Sequence, residues 1–180
     1  MSDQNEVVVA IYATQLEAQE AVKMLQHGGI DMHMLSIVGK ETHTVEQPVG
    51  YYNTGDRMKY WGKNGALWGS VWGLLFGSAF FLIPGIGPML VAGPLVASVV
   101  GALEGAVVVG GLSAIGAGLV GIGIPKDSVV QYELALKTDQ YLLLVRDRAD
   151  QVARARKIIG TTRHVQAALH SPEAVAAIAR

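Results

Sequence analysis

The sequence predicts an α+β protein: a ferredoxin-like β-α-β/β-α-β sandwich interrupted by a long glycine-rich hydrophobic helical hairpin. Three observations predict it. Residues 6–40 and 125–170 each read as β-α-β. Between Lys63 and Lys126 lie 62 residues whose only charge is Glu104. Inside that block, small residues recur every fourth position. The flanks carry the charge density of an ordinary soluble domain, so the 180-residue chain joins two materials.

The first half begins with Val7-Val8-Val9-Ala10-Ile11-Tyr12, a short run rich in β-branched residues that reads as a buried central strand. Thr14 and Glu17 have the spacing of a capping box, and Leu16, Ala18, Ala21, Val22 and Leu25 follow at helical spacing up to Gly28-Gly29. A second strand is centred on Met34 to Val38. Residues 41–63 form a connector with aromatic and basic residues: Tyr51, Tyr52, Arg57, Lys59, Tyr60, Trp61 and Lys63.

Residues 64–124 are the expected hairpin. Gly65, Gly69, Gly73 and Gly77 would place a side-chain-free stripe along one helix face, with Trp68, Trp72, Phe76 and Phe80 beside it. The 19 residues Gly65 to Ile83 approach the ~20 needed to span a bilayer core. Pro84-Gly85-Ile86-Gly87-Pro88 reads as a turn, and a second helix is expected to begin near Pro94 and run past Glu104. It repeats the device with Gly93, Ala97, Gly101 and Gly105, then Gly110, Ala114 and Gly118. Three spans would put the half-domains on opposite sides of a membrane, so two are expected. Arg57, Lys59 and Lys63 before the hairpin and Lys126 after it agree with both ends in the cytoplasm of a bacterial inner membrane. The polar start, Met1 to Glu6, has neither the basic stretch nor the apolar core of a signal peptide. Glycine zippers from several subunits would bury one another equally well in a water-soluble ring or shell, because hydropathy does not separate a bilayer span from a helix buried all round.

The second half opens with Pro125 and a helix through Leu136, with Val129, Val130, Leu134 and Leu136 available to its buried face. Tyr141 to Val145 is an apolar strand. Asp147 or Asp150 is placed to cap a helix running through Val152, Ala155, Ile158 and Ile159, and His164 to Leu169 alternates like an edge strand. Ser171-Pro172-Glu173 has the chemistry of a helix start, so 171–180 is expected as a short terminal helix.

Tyr52-Asn53-Thr54-Gly55-Asp56-Arg57, Trp68 to Gly77, Ile83-Pro84-Gly85-Ile86-Gly87-Pro88, Ala92-Gly93-Pro94 and Gly123-Ile124-Pro125-Lys126-Asp127 together resemble bacterial general stress or heat-induced stress proteins, glycine-rich predicted membrane proteins. The resemblance spans roughly residues 6–160. It implies an architecture and a stress context, and it carries no catalytic residues.

Composition and spacing exclude several chemistries. With no cysteine there is no disulfide framework and no thiolate metal site, and a net charge of -1 offers no footprint for nucleic acid. Gly116 to Gly121 fits G-x-G-x-x-G formally, but lacks the preceding strand that a dinucleotide site requires. Met32-His33-Met34, with His27 and His43 nearby, would alternate across a strand and so fails as a copper(I) chelate. Arg146, Arg148, Arg154, Arg156 and Lys157 make the C-terminal part mildly basic, as a solvated helix face does. No nucleophile, base or paired carboxylate stands out by spacing. The expectation is a non-enzymatic protein without cofactor, metal or identifiable small-molecule substrate, whose partners are its own copies and the lipid bilayer. Glu104, alone in the apolar block, is expected to glue helices; the alternative is a channel or transport subunit that uses it as an ion relay.

Overall fold

The structure is a computed structural model that describes residues 5–40, 78–83, 85–104 and 112–171, with the side chains of residues 78–80 and 104 outside that description. Six strands form one antiparallel sheet: β1 (Asn5–Tyr12), β2 (Leu35–Lys40), β3 (Ser78–Ile83), β4 (Gly87–Ala92), β5 (Tyr141–Arg148) and β6 (Gln166–His170). Their order is β3-β4-β2-β5-β1-β6. Five helices are described: α1 (Gln15–His27), α2 (Leu95–Glu104), α3 (Ala114–Gly121), α4 (Lys126–Lys137) and α5 (Ala149–Ile159). The two β-α-β halves share the sheet as expected. β1 pairs with β5 from Asn5↔Arg148 to Tyr12↔Tyr141, and β2 pairs with β5 on its other side.

β1 and β5 are buried on both faces, which explains their almost unbroken apolar sequence. Val8, Ala10 and Tyr12 of β1 and Leu143 and Val145 of β5 face α1 and α5, meeting Ala18, Ala21, Val22, Leu25, Val152, Ala155 and Ile159. Val7, Val9, Ile11, Leu142 and Leu144 face the opposite way, towards Leu95 and Val99 of α2, Ile115 and Leu119 of α3, and Val129, Tyr132 and Leu136 of α4. Thr14 caps α1 by accepting the Glu17 N–H at 3.3 Å, as its spacing predicts.

The apolar block departs from the expected helical hairpin. Ser78–Ile83, expected as the end of the first helix, is strand β3 and pairs with β4 from Ser78↔Ala92 to Ile83↔Gly87. A continuous apolar run fits a buried helix and a buried strand equally, and here the turn decides: Gly85 and Gly87 sit at φ +80° and +108°, joining two strands tightly. The sheet therefore has six strands rather than four, and helices cover both faces rather than one. The second helix does begin after Pro94, as α2. Yet the described part of α2 has 10 residues and α3 has 8, only ~15 Å and ~12 Å at 1.5 Å per residue, against a hydrocarbon core of ~30 Å. Among the described residues no helix is long and apolar enough to cross a membrane. The stretch Gly65 to Gly77 and the terminal helix expected at 171–180 lie outside the described residues, apart from Ser171.

Smaller expectations change too. Met32–Met34 is a 3-10 turn ahead of β2, with Met32 buried and His33 and Met34 exposed, because Asp31 accepts the His33 N–H at 2.9 Å and holds the turn. On α4, Val129, Tyr132, Ala135 and Leu136 are buried while Val130 and Leu134 are exposed, so the helix is rotated from its expected face. Leu16 is likewise exposed, since α1 turns Ala18, Ala21, Val22 and Leu25 inward. Arg148, not Asp147 or Asp150, occupies the cap position of α5, with no side-chain cap bond.

Candidate functional site

Among the described residues, the side of the sheet opposite α1 and α5 gathers the buried polar residues of the core and the uncharged stretches Leu95–Leu103 and Ala114–Gly121. α4 contributes two adjacent polar residues to the interior because its buried face passes through Tyr132 and Glu133. Glu133 Oε1 accepts the Ser113 N–H at 2.7 Å and the Ser113 hydroxyl at 2.5 Å. Ser113 in turn caps α3 by accepting the Gly116 N–H at 3.2 Å. A buried carboxyl group is thus satisfied by donors at a helix N-terminus. Gly116 leaves the room, because a Cβ there would run into the Glu133 carboxylate.

Next to Glu133, Tyr132 reaches the other way. Its hydroxyl lies 2.6 Å from His170 Nε2 with the rings edge to face, joining α4 to edge strand β6. Burial pushes the Tyr132 phenol up to about 12 and lowers the His170 imidazole, so both are neutral near pH 7. With Tyr132 2% and His170 8% exposed, the pair is sealed and offers a substrate no approach. Across the sheet Tyr12 bonds Thr162 at 2.9 Å; burial raises its phenol and Glu17 adds to the rise, against the lowering effect of that bond. Ser36, the remaining buried polar residue among those described, accepts the Leu95 N–H at 3.2 Å and so caps α2 from β2.

No buried side-chain polar atom among the described residues lacks a partner, and no group of three metal-ligating side chains occurs among them. These pairs hold elements together; none combines a nucleophile, a base and an open space. The sequence reading missed Tyr132, Glu133, His170 and Ser36. One available signal was a carboxylate, Glu133, in helical register with Val129 and Leu136.

Of the interface expected from the glycine spacing, the structure places three positions. Gly93 is not helical: it turns the chain from β4 into α2 at φ +88°, and a Cβ there would meet the β2 backbone, with Ser36 Cα at 2.9 Å. Gly93 is therefore spent inside the chain. Ala97 and Gly101 lie one turn apart on α2, both exposed, and a Cβ at Gly101 would meet nothing within 4 Å. Glu104 is the last described residue of α2, and Lys126 is exposed at the start of α4. Gly65, Gly69, Gly73, Gly77 and Gly105 lie outside the described residues. So do Tyr51, Tyr52, Arg57, Lys59, Tyr60, Trp61 and Lys63. One close glycine contact does operate within the chain: a Cβ at Gly118 of α3 would stand 2.8 Å from Val99 Cγ2 and 3.2 Å from Val99 Cα of α2. The formal G-x-G-x-x-G lies inside α3, so it forms no phosphate loop.

One comparison bears on this geometry. Residues 7–80 match the family model of the heat induced stress protein YflT domain. The match is consistent with a general stress protein family, the context that the sequence blocks imply. The YflT match includes β1, α1 and β2 and ends within β3, so β5, the strand lying between β1 and β2, comes from beyond it. No curated protein and no solved structure matches the chain.

Proposed function

We propose that the protein is a non-enzymatic, stress-associated protein that assembles with its own copies through the outer face of α2. The observation that carries this reading is the open Ala97–Gly101 pair. From Leu95 to Leu103 the helix has no charged residue, and Ala97, Gly101 and Leu103 are exposed on it. Small residues one turn apart let a second helix backbone come close, the contact that Gly118 already makes with Val99 inside the chain. We read β2, β5, β1 and β6 with α1 and α5 as a ferredoxin-like unit, and the β3–β4 hairpin with α2 and α3 as the insert that gives it an assembly surface.

The test is the sedimentation mass of the full chain and of Gly101→Lys at matched concentrations. The variant is expected to lose mass, because a lysine on this face is buried against its own copy; an unchanged distribution refutes the contact. A second reading is favoured by the same lack of charge. It sets the α2–α3 layer against the bacterial cytoplasmic membrane, with α1 and α5 turned to the cytoplasm. Flotation of the protein with liposomes supports that reading, and a pellet of lipid-free oligomers supports the first. A channel centred on Glu104 is the third reading; ion flux that vanishes in Glu104→Gln would establish it.

A further inference from the structure

We infer that β3 is a second self-association surface, at which two copies of this chain join their sheets by antiparallel β3–β3 pairing about a two-fold axis. Among the described residues β3 is the last strand of its sheet, with β4 on one side and no strand on the other. Such an edge presents a row of backbone donors and acceptors whose natural complement is another extended strand. The usual guards are missing from Ser78-Ala79-Phe80-Phe81-Leu82-Ile83, which contains no lysine, no other charge and no proline.

The opposite edge is built differently. β6 ends in His170, which is anchored to Tyr132, and it follows Arg163 and His164. Among the described residues, one side of β3 near Leu82 has no helix over it. α1 and α5 lie over β1, β5 and β6, and beyond them Leu82 is 81% exposed opposite an exposed Pro88, with Leu90 half-buried beside them.

The choice of a second copy follows from charge. In a two-fold contact a residue close to the axis meets its own twin, so a charge placed there repels itself. No described residue from Ser78 to Leu103 has an ionisable side chain, which makes this edge compatible with its own image. Pairing also gives Leu82 and Pro88 apolar neighbours from the partner. The pairing stands without the α2 contact; only the following consequence rests on that reading. Two different isologous contacts on one subunit build assemblies larger than a dimer: a closed dihedral tetramer where the two two-fold axes meet at right angles, and an open chain of copies where they do not meet.

The natural chain lacks cysteine, so single cysteines report without a background. Leu82→Cys and the control Leu16→Cys, where leucine is 63% exposed on α1, are treated with a short bis-maleimide. Pairing predicts covalent dimer at least about tenfold faster for Leu82→Cys, because it raises the local thiol concentration. Equal rates overturn the proposal. In the unmodified protein, amide exchange across Ser78–Ile83 is expected to slow as concentration rises. Protection independent of concentration would mean that the chain covers its own edge, and this too overturns it. Crosslinking repeated in the double variant Leu82→Cys/Gly101→Lys separates the surfaces. Covalent dimer that persists there, while the non-covalent higher species seen in sedimentation disappear, supports both contacts; loss of the covalent dimer would mean that the crosslink formed through α2 and defeats β3 pairing.

Discussion

The two faces of the sheet bury similar cores beneath very different exteriors. α1 and α5 cover one face with Ala18, Val22, Leu25, Val152 and Ile159, and their outer sides carry Glu20, Arg154, Arg156 and Lys157. α2 and α3 help to cover the other with Leu95, Val99, Ile115 and Leu119, yet Leu95–Leu103 and Ala114–Gly121 contain no charged residue. Burial of the inner side explains both layers equally. What the difference teaches is that packing on the sheet accounts for half of each helix. The outer half differs: charged side chains on α1 and α5 suit water, whereas the outer side of α2 is uncharged and, at the exposed Ala97 and the open Gly101, leaves room for close backbone approach.

The largest expected effect tests whether both layers are packed as tightly as their burial indicates. Leu25→Ala under α1 and Leu119→Ala under α3 each remove a fully buried side chain, and each is expected to cost ~2–5 kcal/mol in urea unfolding. A loss below about 1 kcal/mol at Leu119 alone would mean that the uncharged layer is only loosely attached to the sheet.

How far the sequence disclosed this arrangement differs between the same two layers. β1, α1 and β5 are legible because their signals are local: the Val7–Tyr12 run, the Thr14 cap and the glycine stop at Gly28-Gly29. Ser78–Ile83 is illegible because six consecutive small or apolar residues have no period to read, and their strand identity comes from β4 and the turn between them. The face of α4 is misread because exposed Val130 and Leu134 imitate a buried i, i+4 pair. The open Ala97–Gly101 pair is visible in the glycine spacing. Glu133 and Ser113 are not, since they are 20 residues apart and meet only through tertiary packing.

A smaller effect is expected where the uncharged layer is tied down by a polar group. Glu133→Ala leaves the Ser113 N–H and hydroxyl without their buried acceptor and is expected to cost about 1–3 kcal/mol. Glu133→Gln keeps one carboxamide oxygen in the same place, so it should cost less. If the two variants unfold at the same denaturant concentration, the Ser113 tether is not what fixes α3 to α4.

The pH dependence adds a third, local effect. Burial lowers the His170 imidazole below its ordinary 6.5, so the folded strand prefers the neutral ring. Its contribution is therefore fully present above pH 6.5 and declines as pH falls from 6.5 towards the lower folded value, where a proton must be placed beside Tyr132. Relative to the intrinsic exchange rate at each pH, amide protection in Gln166–His170 should fall over that window, while protection in Leu35–Lys40, separated from β6 by β5 and β1, should not change with it. Removal of the trend in His170→Gln would assign it to this ring.

The smallest effect is also the sharpest form of the comparison, because one substitution is made at two glycines of the same layer. Gly101 is exposed, helical and open, so Gly101→Ala should stabilise the monomer by roughly 0.5–1 kcal/mol through helix propensity. Gly118→Ala gains the same propensity but drives a methyl against the Val99 backbone, so its net effect should be destabilising. Assembly should respond in the opposite sense at the open site: Gly101→Ala makes a firmer monomer with a worse contact, and its sedimentation mass should fall while its unfolding midpoint rises. A rise in both would show that the outer face of α2 has no partner to lose.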